Sequence, residues 1–237
     1  MINNLSVTAV IPVRGGSRRV PGKNIRKFGN SSLLVNKIRQ LKQVELIDRI
    51  VVTSDSEEML QAAAAEGTVT HRRPLEYCDD KTRSFNEVVE YVASNVEGDI
   101  LMWTPCTCPM LMPESYGIAL DSFAEKVAGS GEYDSVVSCR MLKEYVFDEK
   151  GPINFNPVRH CISQNLPDWK VLTNGYYISM REDMVRWKYF FGKKPLLIPV
   201  DKISAIDIDD MEDFEIAEMI FNSRNMKHSA DAVTETD

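Results

Sequence analysis

Two short stretches hold the residue types most suited to chemistry. The first is "VRGGSRRVPGKN", residues 13–24, which sets Arg14, Arg18, Arg19 and Lys23 among Gly15, Gly16 and Gly22, with no acid, in a chain of net charge −7. Glycines let a backbone approach a ligand closely and enter the positive-φ region. Exposed N–H groups in such a loop form an anion nest. Arginine matches paired oxygens and lysine acts as a point charge, so the stretch reads as a cradle for a polyphosphate. The competing reading is a strand-to-helix turn with solvated cations. The spacing is neither G-x-x-x-x-G-K-[ST] nor G-x-G-x-x-G.

The second stretch is "IDIDD", residues 206–210. In extended backbone Asp207 and Asp209 point to one face. Two carboxylates so placed repel unless a cation lies between them, which suits Mg2+ and its preference for oxygen ligands. Asp210 points elsewhere and is expected to cap the closing helix. The competing reading makes all three capping acids on a loop.

These stretches need a scaffold. Residues 6–13, 48–55, 99–104 and 133–139 are short apolar or β-branched runs that predict buried strands, with a late strand over 194–201. Between them lie helical patterns over 31–43, 56–66, 84–96 and 113–128, and a closing helix from 209 to 223. Ser56 stands as N-cap of the second helix and Gly67 at its end. This alternation predicts an α/β fold, a Rossmann-like mostly parallel sheet with helices on both faces. Residues 140–178 break the pattern with prolines 152, 157 and 167, and read as a small inserted lobe of antiparallel strands. Residues 1–222 are expected to form a single domain, and 223–237 a polar, disordered tail.

Composition narrows the function. At 237 residues, 43% hydrophobic and 27% charged, the chain reads as an ordinary globular protein. Its acidity argues against general nucleic-acid binding. No apolar run reaches the ~18 residues that cross a bilayer, so no membrane partner is expected. The start "MINNLSVTAVIPV" lacks a charged leader region and runs into a strand, which with five cysteines predicts a cytoplasmic protein with reduced thiols. Cys106 and Cys108 form a lone CxC without a partner pair at zinc spacing.

"IPVRGGSRRVPGKNI" resembles the N-terminal signature of the acylneuraminate cytidylyltransferases, usually close to I-P-A-R-G-G-S-K-x-x-P-G-K-N. "VVTSDSEEM", "RRPLEYCDDKTRS", "QNLPDWKVLTNGYYI" and "AIDIDDMEDFEIAE" resemble further segments of that family, so the likeness spans nearly the whole chain. It implies a nucleotidyltransferase that couples CTP to a keto sugar acid and releases pyrophosphate, with Mg2+ on Asp207 and Asp209. Arg14 and Lys23 then act on the phosphates, and Gly15, Gly16, Ser17, Arg18 and Asn24 contact the nucleotide. Arg73 and Ser84 match positions near ribose and cytosine. Gln164, Asn174, Tyr177, Phe190 and Phe191 match the sugar-acid side, although the "YFF" run also reads as core or dimer packing. The resemblance further implies a homodimer whose lobes cross over. One segment departs: where relatives read L-Q-P-T-S-P-L-R, this chain reads "WTPCTCPML", placing Pro105 at the Gln and Leu111 at the Arg. That change points to a nonulosonate other than N-acetylneuraminate, such as a pseudaminate- or legionaminate-like acid. Two rivals are activation of 3-deoxy-manno-octulosonate and a catalytically inactive family member acting as a binding protein.

Overall fold

The computed structural model describes residues 1–79 and 81–234, with the side chains of the last helix described as far as Arg224. Strand β1 (Val7–Pro12) is apolar almost throughout and buried along its length, as a strand covered on both faces must be. Val7, Ala9 and Ile11 enter one core while Val10 enters the other. A loop and a two-residue ribbon, β2 (Lys27–Phe28) and β3 (Ser31–Ser32), lead into helix α1 (Leu33–Leu41), where Ser32 accepts from the Val35 N–H as N-cap. Strand β4 (Arg49–Ser54) follows, then α2 (Glu57–Ala65), capped by Ser56 as its sequence indicates.

Strand β5 (Val69–Arg72) and helix α3 (Phe85–Asn95) lead to β6 (Ile100–Trp103). An irregular strap connects β6 to α4 (Pro113–Phe123), which opens on proline at its first position and runs into a wider turn over Ala124–Gly129. Strand β7 (Ser135–Leu142) runs out to a small hairpin, β8 (Phe147–Asp148) and β9 (Gly151–Pro152). The chain returns along β10 (Trp169–Met180), then α5 (Arg181–Trp187), β11 (Pro195–Pro199) and α6 (Met211–Thr234).

The main sheet has the order β11-β7-β10-β6-β1-β4-β5. β1 pairs in parallel with both β4 and β6, β4 with β5, and β11 with β7. Helices α1, α4 and α6 contribute to one core, with Ile38, Leu41, Tyr116, Phe123 and Phe214. Helices α3 and α5 contribute to the other, with Val89, Val92 and Met184. From β1 the chain steps outward to β4 and β5, then crosses back to β6 on the opposite side. That reversal opens a crevice beyond the carboxyl ends of β1 and β6, where open α/β sheets bind ligands.

Three features differ from the sequence reading. Strand β5 and helix α5 were not foreseen, because each is short and β5 is partly exposed at the sheet edge. The antiparallel segment is no separate insert, since β10 passes from the lobe into the middle of the main sheet, antiparallel to both β6 and β7. The stretch expected as a tail continues α6 to Thr234, and residues 235–237 lie outside the described residues.

The pairing of β10 with β7 breaks between two registers. Leu172 faces Cys139 and Tyr177 faces Val137, so β10 advances five residues while β7 advances two. The Ser138 hydroxyl fills the gap: it accepts from Thr173 Oγ1 at 2.8 Å and from the Tyr176 N–H at 3.1 Å. This bulge turns Asn174 toward the crevice. Gly175 must lack a side chain there, since a Cβ would sit 2.9 Å from Ser138 Oγ and 3.1 Å from Leu111 Cδ2. Gly175→Ala is therefore expected to cost about 1–3 kcal/mol of stability by overpacking. Urea denaturation checks this, and an unchanged midpoint would show that the bulge yields freely.

Candidate active site

The crevice is a cavity of about 830 Å³ at the carboxyl ends of β1, β5 and β6. Its first wall is the loop after β1. Arg14, Ser17, Arg18, Arg19, Lys23 and Asn24 line it. The loop is held by specific bonds. Lys23 Nζ donates to the Ile208 carbonyl at 2.7 Å, Arg14 Nη1 to the Cys78 carbonyl at 3.1 Å, and Asn24 Nδ2 to the Arg14 carbonyl at 3.4 Å. Gly15 and Gly16 are exposed but outside the lining, and the Gly15 N–H donates to Asp55 Oδ1 at 3.0 Å. Neither has positive φ. The glycine that requires the left-handed region is Gly22, at φ +64°, whose carbonyl accepts from the N–H groups of Ile25 and Arg26.

The opposite wall carries Asp207 and Asp209, both lining the cavity, while Ile208 between them is fully buried in the core. The alternation is the one that extended backbone dictates. Asn174 Nδ2 donates a short hydrogen bond to Asp207 Oδ2, and the Tyr177 hydroxyl donates to Asn174 Oδ1 at 2.9 Å. Asp207 Oδ1 is buried and has no hydrogen-bond partner. Asp209 Oδ1 accepts from Arg19 Nη2 at 2.7 Å. A buried, unpartnered carboxylate oxygen beside a second carboxylate fits a hard divalent cation such as Mg2+. Asp210 caps α6, accepting from the Asp213 N–H at 3.0 Å.

Arg73 lines the cavity yet is only 5% exposed. Its Nη2 donates to the Val13 carbonyl at 2.8 Å and its Nε to Cys78 Sγ at 2.9 Å, so it holds the start of the loop after β1. Burial pushes the Cys78 thiol up despite that guanidinium. Ser84 is also in the lining and forms a capping box with Glu87 at the N-terminus of α3. The Ser84 N–H and hydroxyl both donate to Glu87 Oε2, at 2.9 and 2.8 Å, and Arg83 Nη1 donates to Glu87 Oε1 at 2.9 Å.

The remaining expected residues divide. Tyr177 stacks on Phe190 with ring centroids 4.5 Å apart, and burial pushes its hydroxyl pKa up. Phe190 is 5% exposed and packs against Trp103 and Phe85, which themselves line the cavity. Phe190 thus backs the wall, with Phe191 beside Tyr177. Gln164 lies exposed on the lobe, outside the cavity of its own chain. Pro105 is in the lining, but Leu111 is fully buried in the core. Sequence reasoning missed Tyr77, Arg83, Phe85, Val88, Trp103 and Thr107 as lining residues. The one available signal was the position of Trp103 at the carboxyl end of a buried strand. All five cysteines are free thiols. Cys106, pushed up to about 11 by burial, donates to Asn24 Oδ1 at 3.3 Å.

A doubly wound sheet with a basic loop and a carboxylate pair facing each other at its switch point defines a nucleotide-handling class of α/β protein. A family model described as cytidylyltransferase matches residues 8–192, and the chain belongs to that family. It is 27% identical over 222 residues to N-acylneuraminate cytidylyltransferase A of Danio rerio, covering 90% of this chain and 50% of that one. It is 28% identical to the CMP-N,N'-diacetyllegionaminic acid synthase of Legionella pneumophila, over 91% of this chain and 96% of that one. The chain therefore spans about half the length of some curated relatives and nearly the whole of others. A solved CMP:2-keto-3-deoxy-manno-octonic acid synthetase complexed with CTP shares the fold, with a TM-score of 0.68 at 15% identity, covering 92% of this chain and 99% of that one. Among the described residues no helix is long and apolar enough to cross a membrane.

The capping box makes a pH prediction. Hydrogen bonds from the Ser84 N–H and hydroxyl, then from Arg83, lower the Glu87 carboxyl from 4.5 to about 2. The folded state therefore binds this proton less readily than the unfolded state. The stability it contributes is fully present above pH 4.5 and is lost as pH falls from 4.5 through 2. Glu87→Gln is expected to flatten the acid limb of a stability–pH curve in that window. An unaltered slope would show that the box does not act through the charge.

Proposed function

We propose that this protein transfers CMP from CTP to a nonulosonic keto sugar acid and releases pyrophosphate. The observation that carries the reading is the basic loop 14–24 facing the Asp207–Asp209 pair across one cavity, in a chain of the cytidylyltransferase family. Among the described residues, six cations line the cavity (Arg14, Arg18, Arg19, Lys23, Arg73, Arg83) against three acids (Asp79, Asp207, Asp209). That balance attracts a triphosphate into an otherwise acidic chain.

Arg14, Arg18, Arg19 and Lys23 bind the phosphates, and Ser17 and Asn24 donate from the same loop. Arg73 keeps that loop at the end of β1. Asp207 and Asp209 hold Mg2+, with Asn174 orienting Asp207. Bound there, Mg2+ supplies charge neutralisation on the phosphate oxygens. The anomeric hydroxyl oxygen of the acid forms a bond to the α-phosphorus of CTP and gives up its proton to solvent, the bond from that phosphorus to the oxygen bridging to the β-phosphate breaks, and pyrophosphate leaves. Positioning and electrostatics supply most of the rate.

The acid lies toward Trp103, Phe85, Val88 and Pro105, the apolar end of the lining. Such a wall suits an acyl or deoxy carbon better than a hydroxyl. Pro105 supports an acid other than N-acetylneuraminate, while Leu111 drops out of that argument because it is buried in the core. Relatives of matching length include the legionaminic acid synthase and a pseudaminic acid cytidylyltransferase of Campylobacter jejuni at 24% identity, covering 94% of that protein. We also propose a homodimer joined through the lobe, which exposes Phe147, Ile153, Val158 and Ile162. It would bring Gln164 to the partner's cavity.

Pyrophosphate release with CTP, Mg2+ and a panel of eight- and nine-carbon keto sugar acids tests the reading. Turnover is expected with a legionaminate- or pseudaminate-like acid and more slowly with N-acetylneuraminate. Equal turnover on all acids overturns the specificity, and no CTP binding overturns the activity. Asp207→Ala is expected to lower kcat about 10²–10³-fold, in line with loss of a transition-state charge stabiliser. Sedimentation of wild type is expected to give a dimer, and Phe147→Glu with Val158→Glu a monomer.

A further inference from the structure

We propose that Lys37, outside the cavity and 1% exposed, is a positioning residue that sets the register of the carboxylate segment. The inference rests on the cytidylyltransferase reading for its functional consequence, and on geometry alone for its structural one.

The strap between β6 and α4 is buried at Thr104, Cys106, Cys108, Met110 and Leu111, yet it has no ladder to satisfy its backbone. Such carbonyls require partners from elsewhere. Lys37, on α1, reaches through the core so that its Nζ donates to the Cys108 carbonyl at 2.8 Å and, in a short bond, to the Tyr116 hydroxyl. One turn along α1, Gln40 Nε2 donates to the Pro109 carbonyl at 2.7 Å. The strap is thus pinned from behind by two side chains of α1.

Its front side carries the site. The Thr107 carbonyl accepts from the Ile208 N–H at 2.9 Å, and Ile208 lies between Asp207 and Asp209. The Ile208 carbonyl accepts from Lys23 of the basic loop, and Cys106 Sγ bonds Asn24 of the same loop. Thr104 Oγ1 donates to the Gly175 carbonyl, next to Asn174. The strap therefore links loop, carboxylates and Asn174, and Lys37 fixes the strap one residue from the Thr107–Ile208 bond. The buried amine has two hydrogen-bond partners, the Cys108 carbonyl and the Tyr116 hydroxyl, and lies 5.1 Å from the centre of the Tyr116 ring. Without it, the Cys108 carbonyl is left buried and unpaired.

Lys37→Met keeps the apolar stem and removes the donor. Amide hydrogen exchange is expected to show lost protection at Ile208 and along residues 106–108, with β4 and β5 unchanged. Calorimetry with CTP is expected to show the half-saturating Mg2+ rising about tenfold while metal-free CTP affinity stays at the wild-type value, the size typical of disturbing a group behind a metal ligand. Wild-type protection at Ile208, or an even loss across the whole sheet, overturns the proposal. If Lys37→Met does not fold, Tyr116→Phe removes the hydroxyl that accepts from Lys37 Nζ and, at 3.4 Å, from Thr104 Oγ1 of the strap, and the same exchange pattern is expected in weaker form. Unchanged exchange there overturns the proposal. If wild type binds no CTP at all, the functional reading fails, and the exchange measurement still decides the role of Lys37.

Discussion

Like charge has to be held together at one end of the sheet, and much of the local structure answers that need. Two unit charges ~6 Å apart repel by about 3 kcal/mol at the effective dielectric near a protein surface. Six cations in one cavity could not stay convergent without fixed partners. Lys23 is tied to the Ile208 carbonyl, Arg73 to the Val13 carbonyl, Arg14 to the Cys78 carbonyl, Arg19 to Asp209 and Arg83 to Glu87. For Lys23 and Arg73 these partners are neutral carbonyls, which orient the cation without cancelling its charge. The site therefore keeps a positive lean while its side chains stay aimed.

The same economy explains why two residues expected on the nucleotide are bound to the protein. Arg73 spends Nη2 and Nε on Val13 and Cys78, and Ser84 spends its hydroxyl on Glu87. Both line the cavity, but their fixed bonds position β1's loop and the start of α3. A residue that matches a family motif can hold the frame of a site as firmly as it touches a ligand.

Residue type and spacing made the outline legible. The basic loop, the alternation of Asp207 and Asp209 around a buried Ile208, the Ser56 cap and the Asp210 cap all follow from local rules that tertiary structure does not override. What stayed hidden depends on distant partners. β10 alternates half-buried and exposed residues over Trp169–Leu172, then is buried from Thr173 through Ser179 except at Asn174, because half of it edges the lobe and half lies inside the sheet. No single periodicity describes such a strand. Leu111 looked like a site residue by its place in a motif, yet its strap turns it into the core. Phe190 and Trp103 are both aromatic, and only the fold decides which faces the cavity.

The division of the cavity follows from where its walls come from. The loop after β1 and the carboxylate segment meet at one end through Lys23 and Ile208, so charge concentrates there. The carboxyl end of β6 and the first turn of α3 form the other end, and both present aromatic or aliphatic side chains because they emerge from the second core. Asn174 stands at the join, fixed by Asp207 on one side and Tyr177 on the other. The bulge in β10 puts it there, and that bulge exists because an antiparallel strand has been fitted between β6 and β7. The reversed strand is thus what sets a polar group between a charged end and an apolar end. Different segments of chain build the two ends, so a substitution on the apolar wall need not disturb the charged one.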